Sequence, residues 1–431
     1  MTDSCNISIP PIDSLFPKEV IKLLNFIQLK GFILTLVGGA VRDYFLYQKI
    51  TDDLDFELRK LESVKEDAWK QSMTDLAENL KKKFRLKIEF LEFGIIKFSY
   101  GGKNFEFSSP RAERYDENKQ KWNHKDFAVS LISNLDYAKS FARRDFTMNA
   151  IGFEFLENHT LKLIDPFNGV GDIAKKILRP CGAHFFKDPI RFLRLLRFAI
   201  NTEFKFSSEI SLNLHKFNME HLTHSYFLKE AFKTNALKFF KLFFHYVKTA
   251  SIAYNPSLSP LFFLLNKEDL SNTQTVQFQD EKSLLVWMIF SNWYTDKNIM
   301  DFASYAKINQ NFLKNMLGLR DGLALLVQVD LEKLLSRLQQ ANFLPLPDQK
   351  DLVIISDLYT SYKRNALLMV AYLKLLPDRP YRLSYRLWEE IFSFYPRDLN
   401  AIEEVPPKSR KVLSICLMLK SYHESRQKLP K

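Results

Sequence analysis

The stretch that most constrains the fold lies near the start of the chain, at residues 36–57, and reads LVGGAVRDYFLYQKITDDLDFE. The pattern predicts a buried strand that ends at Val37, a Gly-Gly turn, a short helix from Ala40, and a second strand from Asp53. A strand, a tight turn, a helix and a second strand in this order indicate a mixed α/β domain at the front of the chain.

The second predicted strand carries acidic residues at every other position. Because side chains alternate along a strand, Asp53, Asp55 and Glu57 are expected on one face. The apolar residues between them are expected to face the core: Leu54, Phe56 and Leu58. A solvated strand face is the ordinary explanation of such a pattern, and the D-x-D pair alone does not exclude it.

A second explanation gives these acidic residues a chemical role. Gly38 and Gly39 open a helix, and the backbone N–H groups at a helix N-terminus attract phosphate oxygens. Mg²⁺ is usually held by one or two carboxylates together with substrate phosphates. Asp53 and Asp55 beside the glycine turn therefore form a candidate site for Mg²⁺ and a triphosphate.

Composition bears on the binding partners and the compartment that are expected for this chain. The 431 residues carry a net charge of +12, which suits either contact with a polyanion such as RNA or simply a basic surface. Three distant cysteines, Cys5, Cys181 and Cys416, form no disulfide or zinc pattern and favour a reducing compartment. Without a signal peptide or an apolar run long enough to span a bilayer, the expected location is the cytoplasm.

Glycine usage separates the two halves of the chain, because only Gly318 and Gly322 follow Gly182. The front half is therefore expected to be α/β, and the back half a series of helices. In the front half, three strands are predicted over 86–109. If the last of these lies beside the D-x-D strand, Glu106 is a third acidic group at the site. The charged residues 112–126 read as a mobile loop.

Two further motifs are rich in arginine. Residues 141–150 read FARRDFTMNA, in which Asp145 could orient an arginine and Arg144 could bind phosphate or ribose. Residues 187–199 read KDPIRFLRLLRFA, a predicted helix with charged residues at intervals of three. These residues are Asp188, Arg191, Arg194 and Arg197.

An Asp–Arg pair on one helix face can read a base edge. The carboxylate accepts from the exocyclic amine that C and A share, and the guanidinium donates to the ring acceptor that both carry. G and U present the opposite pattern and would leave buried groups unpaired. A surface helix with Asp188–Arg191 salt bridges is the ordinary alternative.

Four motifs have now been described: the Gly-Gly turn, the D-x-D strand and the two arginine-rich stretches. In this order they resemble the class II tRNA nucleotidyltransferase (CCA-adding enzyme) and bacterial poly(A) polymerase family. The resemblance covers roughly residues 33–200, and Lys187 stands where the family has a glutamate. It implies a nucleotidyltransferase α/β head over 1–180, a helical neck over 181–240 that carries the nucleotide-reading helix, and a helical RNA-binding body and tail over 241–431.

The resemblance also implies an activity and residue roles. The expected reaction is Mg²⁺-dependent, template-independent addition of C, C and A to the 3′ end of tRNA from CTP and ATP. Asp53 and Asp55 are expected to bind the metal, and Glu106 to complete the catalytic carboxylates. The expected nucleotide-binding residues are Gly38, Gly39, Arg42, Arg144, Asp188, Arg191, Arg194 and Arg197.

Alternatives stay open at this point. Enzymes that add only CC, only A, or a poly(A) tail share the same head motifs. A non-catalytic RNA-binding relative belongs to another class, but such a protein would be expected to lose Asp53 and Asp55 first. The basic stretch Lys408 to Lys431 is either an RNA contact or a solvated tail.

Overall fold

The computed structural model describes residues 9–91, 94–115, 127–157, 160–255, 258, 278–290, 294–326, 329–342, 350–356, 358–359, 390–393 and 407–427. The chain divides into two compact units. One comprises Met1–Thr223 with Leu242–Asn255, and the other comprises His224–Lys241 with Pro256–Lys431. Across the described residues, no helix combines the length and the apolar content that spanning a bilayer requires.

The first unit contains a mixed sheet with helices. Its first nine strands are β1 (Ile33–Val37), β2 (Asp53–Arg59), β3 (Glu89–Leu91), β4 (Ile95–Tyr100), β5 (Lys103–Ser108), β6 (Arg111–Tyr115), β7 (Phe127–Leu131), β8 (Gly152–Phe155) and β9 (Leu161–Ile164). Its first seven α-helices are α1 (Ile12–Leu15), α2 (Lys18–Leu29), α3 (Gly39–Tyr47), α4 (Glu66–Phe84), α5 (Tyr137–Phe141), α6 (Gly169–Ala174) and α7 (Pro189–Thr202).

Seven of these strands form one sheet in the order β3-β4-β5-β2-β1-β8-β9. Strand β2 lies at its centre, antiparallel to β1 and parallel to β5. Parallel neighbours need a long crossover connection, and here the segment that holds α4, β3 and β4 supplies it. The register pairs Asp55 with Val37 on one side and with Glu106 on the other. Residues far apart in sequence therefore meet beside Asp55.

The core face of β2 is as the alternation predicts. Leu54, Phe56 and Leu58 are buried, and Phe56 packs against the rings of Phe105 and Phe107 on β5. Burying a side chain of this size stabilises the fold by about 1.5–3 kcal/mol. This packing fixes the strand register, and a shift of one residue would turn the acidic face inward.

The predicted loop over 112–126 is partly wrong. Strands β6 and β7 pair antiparallel from Arg111↔Leu131 to Tyr115↔Phe127, so residues 112–115 belong to a hairpin. A five-residue ladder satisfies the backbone N–H and C=O groups, which a count of charged side chains cannot reveal. Residues 116–126, the rest of the predicted loop, lie outside the described residues.

Helices account for most of what the structure describes after Thr202, apart from two-residue parallel strand pairs. These pairs join Ile177–Leu178 with Lys205–Phe206 and Asn218–Met219 with Ala253–Tyr254. The later helices are Ser208–Asn213, His224–Ala231, Ala236–Thr249, Glu281–Phe290, Asp296–Tyr305, Gln310–Leu326, Leu331–Gln340 and Pro407–Gln427. The predicted fold class, an α/β head followed by a helical region, is confirmed, and the three domain boundaries stay predictions.

The last helix clarifies the basic stretch at the end of the chain. Within Pro407–Gln427, the side chains of Ile415, Cys416, Leu419 and Tyr422 are fully buried, whereas Lys420 is exposed. This stretch is therefore packed against its own unit along one face rather than being a wholly solvated tail.

Candidate nucleotide and metal site

The two aspartates of β2 lie at the exposed end of the strand. Asp53 and Asp55 are both exposed, in contrast to the buried residues that follow them. Asn104 on β5 donates a hydrogen bond to Asp53 Oδ1 at 2.9 Å. The carboxylate of Asp55 faces the glycine turn, because its Oδ2 would lie 3.7 Å from a Cβ placed on Gly38. The aspartates and the glycine bend are therefore adjacent, as the sequence predicts.

Gly38 is needed for both its conformation and its space. Its φ of +77° lies in the left-handed region, where a side chain is strained. A Cβ there would also come within 3.1 Å of Arg144 Nη1. Helix α3 begins at the next residue, Gly39, with Gly38 as its N-cap. The helix N-terminus, the Arg144 guanidinium and the Asp55 carboxylate thus surround one small space.

Asn149 holds the two phosphate-binding candidates together. It is 5% exposed. Its side-chain oxygen accepts from Arg42 Nη1 at 2.9 Å, and its backbone carbonyl accepts from Arg144 Nη1 at 3.2 Å. Its amide nitrogen donates to Asp145 Oδ1 at 2.9 Å. Asn149 therefore joins α3 to the Arg-Arg-Asp segment.

Asp145 orients an arginine, as its motif predicts, and that arginine is Arg194 of α7. Arg194 Nε donates to Asp145 Oδ2 at 2.6 Å. Burial alone would raise the pKa of Asp145, but Arg194, Asn149 and the N–H of Phe146 outweigh burial and bring the pKa down to about 2. This ion pair connects helix α7 to the segment that carries Arg144.

Helix α7 departs from the prediction at its first turn. Asp188 was expected on a helix face beside Arg191, but it is the N-cap, with Oδ1 accepting from Ile190 N–H at 2.9 Å. An Asp followed by Pro favours this, because Asp caps helices well and Pro suits the first helical position. Asp188 Oδ2 still lies 3.9 Å from Arg191 Nε, so the pair remains together.

The arginines of α7 have different surroundings. Arg191 is 7% exposed and donates from Nη2 to the backbone carbonyl of Arg143 at 2.6 Å. Its Nη1 is buried without a hydrogen-bond partner. Arg194 and Arg197 both lie against the ring of Phe198, as does Arg42 of α3. The predicted nucleotide-binding arginines therefore form one connected group around α7 and α3.

Glu106 lies where the prediction required, directly across from Asp55 on the parallel strand. Its Oε2 is held by Lys97 Nζ of β4 at 2.7 Å. Partial desolvation by the surrounding protein raises the pKa of the Asp55 carboxyl, and the nearby charge of Glu106 raises it further, while Arg144 and Lys97 oppose both. This sign is expected where carboxylates gather close enough to share a cation.

The carboxylates can be tested against the needs of a divalent ion. In the part of the chain that the structure describes, no three or more His, Cys, Asp or Glu side chains are grouped to hold a metal ion. The described residues therefore do not supply a complete set of protein ligands for a metal ion. Asp53 and Asp55, exposed and one strand repeat apart, fit Mg²⁺ that takes its other oxygens from a nucleotide's phosphates.

Glu57 is a residue whose surroundings the sequence did not reveal. It shares the face of Asp53 and Asp55 but is fully buried. Arg59 binds its Oε1 at 2.5 Å and Ser140 donates to its Oε2 at 2.6 Å. Arg143 approaches to 3.9 Å. The i, i+2 spacing of Glu57 and Arg59 was the available signal, because a buried charge needs a partner on its own face.

Comparison with known proteins finds a family model that is similar to part of the head. Residues 34–179 match the family described as the poly A polymerase head domain. An A-adding tRNA nucleotidyltransferase of Aquifex aeolicus is 30% identical over 174 residues, which are 40% of this chain and 19% of that protein. A CCA-adding enzyme of Buchnera aphidicola is 33% identical over 164 residues, 38% of this chain and 34% of that protein. The matches thus cover less than half of these curated relatives.

Solved structures extend the likeness to the whole fold. A CCA-adding enzyme in an apo form superposes with a TM-score of 0.60 at 16% identity, covering 97% of this chain and 100% of that one. The Thermotoga maritima CCA-adding enzyme complexed with tRNA gives a TM-score of 0.54 at 16% identity, with the same coverage of both chains. At this identity the likeness concerns the fold alone.

Proposed function

We propose that this chain, whose residues 34–179 match the poly A polymerase head domain family, is a nucleotidyltransferase that adds C, C and A to the 3′ end of tRNA from CTP and ATP. The observation that carries the proposal is the placement of Asp53 and Asp55 beside the Gly38 turn and Arg144. The sequence relatives named as CCA-adding enzymes support this choice of product.

The triphosphate would lie against the turn between β1 and α3. Gly38 leaves room for phosphate oxygens to reach the backbone, and the helix N-terminus attracts their charge. Arg42 and Arg144, both tied to Asn149, would donate to the phosphates and ribose from fixed positions. Catalysis of this kind depends on positioning and charge stabilisation rather than on a covalent intermediate.

Families of this kind generally use a divalent metal, and we take the ion here to be Mg²⁺, held by Asp53 and Asp55. When bound, Mg²⁺ supplies positive charge to the reacting phosphate and the leaving pyrophosphate. Glu106 adds a third carboxylate on the neighbouring strand, on the side of the site away from the glycine turn.

Asp188 and Arg191 would select the base. A carboxylate oxygen of Asp188 would accept from the exocyclic amine of C or A, and the buried Nη1 of Arg191 would donate to the ring acceptor. Arg194, held by Asp145, and Arg197 would support this pair and the phosphates. The RNA partner is the acceptor end of tRNA, bound partly by the helical second unit, and the compartment is the cytoplasm.

The direct test uses tRNA that lacks its 3′-terminal C, C and A. The purified protein is incubated with this tRNA, Mg²⁺ and labelled CTP or ATP, singly and together, and the products are sequenced. Addition of three nucleotides in the order C, C, A is expected. Products that stop after two C, that carry one A, or that grow into a long A tail would each contradict CCA addition.

Addition of A alone is the second candidate, because the Aquifex aeolicus relative is an A-adding enzyme. It predicts incorporation only when the tRNA already ends in CC. A non-catalytic RNA-binding protein would incorporate nothing with any substrate, but retention of both aspartates at an exposed strand end speaks against that class.

A further inference from the structure

A pocket of about 460 Å³ lies on the side of Asp53 and Asp55 that faces away from the glycine turn. Strands β2, β5 and β4 form its floor, and its polar lining includes Lys87, Lys97 and Asn104. The sheet order places β1 and its glycine turn on one side of β2, and β5, β4 and β3 on the other. The two aspartates thus lie between two parts of the site: the glycine turn on the β1 side and the lysine-lined pocket on the β5 side.

The geometry of phosphoryl transfer tells which substrate belongs in each half. The attacking and leaving oxygens lie roughly in line on opposite sides of the reacting phosphorus. If the triphosphate rests on Gly38, Arg42 and Arg144, the pyrophosphate leaves toward β1. The attacking 3′-hydroxyl must then come from the β5–β4 side. This deduction rests on the proposed function and assigns the pocket to the end of the RNA acceptor strand.

An RNA end in this pocket brings a negative phosphodiester close to four carboxylates, those of Asp53, Asp55, Glu89 and Glu106, and that charge needs a cation. Lys97 is suitably placed, because it is the cross-strand partner of Glu106 and lines the pocket. Its ammonium group has three N–H donors and binds Glu106 at 2.7 Å, which leaves donors for a phosphate oxygen. Lys87 lines the same pocket and is exposed.

We propose that Lys97 binds the last phosphodiester of the RNA acceptor strand and thereby positions its 3′-hydroxyl between Glu106 and Asp55. Lys97 is then a substrate-binding residue on the acceptor side, matching Arg42 and Arg144 on the nucleotide side. The ordinary alternative is an exposed cross-strand ion pair with no ligand, such as Lys70–Glu66 on α4, which has a similar exposure and an N–O distance of 2.8 Å.

The test combines a protein change with a matched change in the RNA. Binding of a labelled RNA hairpin with the acceptor-arm sequence is measured in EDTA by fluorescence anisotropy, so no catalysis is needed. The hairpin carries either a normal last phosphodiester or an uncharged methylphosphonate. Lys97→Met and the methylphosphonate should each raise the Kd about tenfold, the loss of one charge-assisted hydrogen bond. Together they should raise it no further, because both remove the same contact.

The salt dependence gives an independent readout. Removing one phosphate contact to a single strand should reduce the slope of log Kd against log salt by about 0.7. Lys97→Arg should restore both affinity and slope, and the control Lys70→Met should leave them unchanged. A purely structural role for Lys97 would not move the slope or remove the methylphosphonate effect. If Lys97→Met fails to melt cooperatively, Lys97→Gln serves as the second neutral variant.

The outcomes separate this inference from the proposed function. Additive effects of the variant and the methylphosphonate, or an unchanged salt slope, would overturn the role of Lys97. If the wild-type protein still incorporates nucleotides in that case, the proposed function stands. If the wild-type protein incorporates none, the proposed function fails, whatever the binding data give for Lys97.

Discussion

The two halves of strand β2 carry acidic side chains on the same face and use them in opposite ways. In the first half, Asp53 and Asp55 are exposed, and partial desolvation together with the neighbouring carboxylates raises the pKa of Asp55. In the second half, Glu57 is fully buried and bound by Arg59 and Ser140. Alternation in sequence assigns all three residues to one face, but their surroundings leave the first half open to a ligand, whereas the second half is packed into the fold.

The comparison extends to the rest of the head. Asp145 resembles Glu57, because both carboxylates are buried and each is bound by an arginine. Glu106 resembles Asp55, because it stands at the open end of the sheet beside like charges. Asp188 lies between the two classes, since it caps a helix and also approaches Arg191. We expect substitutions to separate activity from stability along this division.

The largest effect on activity is expected at the open end of β2. Asp53→Ala and Asp55→Ala should each lower kcat for nucleotide addition roughly a thousandfold, because each removes a ligand to an ion that contributes several kcal/mol to the transition state. Binding of tRNA, measured by filter retention, should persist. Asp52→Ala is the matched control: it lies one residue earlier, is exposed, and pairs with Lys103. Unchanged turnover in Asp53→Ala would remove the metal assignment.

Of these two aspartates, Asp55 should not stabilise the fold. The raised pKa of Asp55 means that its ionised form is disfavoured in the folded protein, so its charge costs stability at neutral pH. Asp55→Asn should therefore keep or raise the melting temperature, measured by differential scanning calorimetry. A marked fall in the melting temperature would show that Asp55 stabilises the fold, as Glu57 is expected to do, and would contradict the division between the two halves of β2.

The buried end of β2 should show the reverse behaviour. Glu57→Ala leaves Arg59 buried without its carboxylate, so the free energy of unfolding should fall by about 3–5 kcal/mol, measured by urea titration of the full chain. The double substitution Glu57→Leu with Arg59→Met should recover most of this loss, because apolar residues can replace a buried ion pair. If Glu57→Ala is as stable as the wild type, the ion pair does not stabilise the head.

Asp188 allows its two roles to be separated. Asp188→Ala should lower the preference for CTP and ATP over UTP and GTP by about 10- to 100-fold in kcat/KM, and should also weaken the start of α7. Asp188→Ser keeps a side-chain acceptor for the Ile190 N–H but removes the carboxylate. Both variants should therefore lose base selection, and only the first should lose stability. Retained discrimination in both would end the base-reading hypothesis.

The smallest effect is a pH dependence at Asp145. Its folded pKa of about 2 lies below the usual aspartate value of 3.8, so it contributes stability that is present above about pH 4 and lost as the pH falls toward 2. Arg194→Met should cost about 2 kcal/mol near pH 7. The difference from wild type should shrink below pH 4, as melting temperatures across this range would show. Asp145→Asn should abolish that pH dependence, and a difference that persists at pH 2 would contradict the assignment.

Sequence was sufficient where one periodic signal decides the structure. The bounds of β1 and the exposed placement of Asp53 and Asp55 follow from alternation and the glycine turn. Sequence was insufficient where the surroundings of a residue depend on residues that are distant in the chain. Nothing local to Glu57 indicates that Ser140 and Arg143 seal it, and nothing local to Asn149 indicates that Arg42 and Arg144 converge on it.

Two local predictions were also wrong, each for a physical reason. The Asp-Pro sequence at Asp188 is a capping signal, and reading it as part of a helix face placed one carboxylate oxygen wrongly. The β6–β7 hairpin stabilises itself through backbone pairing, so the charged side chains of residues 112–115 gave the impression of a loop. Pairing between strands is invisible to a reading of side-chain charge.

The order of strands in the large sheet has a consequence during synthesis. Strand β1 lies between β2 and β8, and β8 begins at Gly152. Until that part of the chain leaves the ribosome, the edge of β1 has no neighbour on one side and offers unpaired backbone groups to any other nascent strand. The two aspartates are translated early, whereas Arg144 and Asn149 come just before β8. The candidate site is therefore completed late, when the sheet closes.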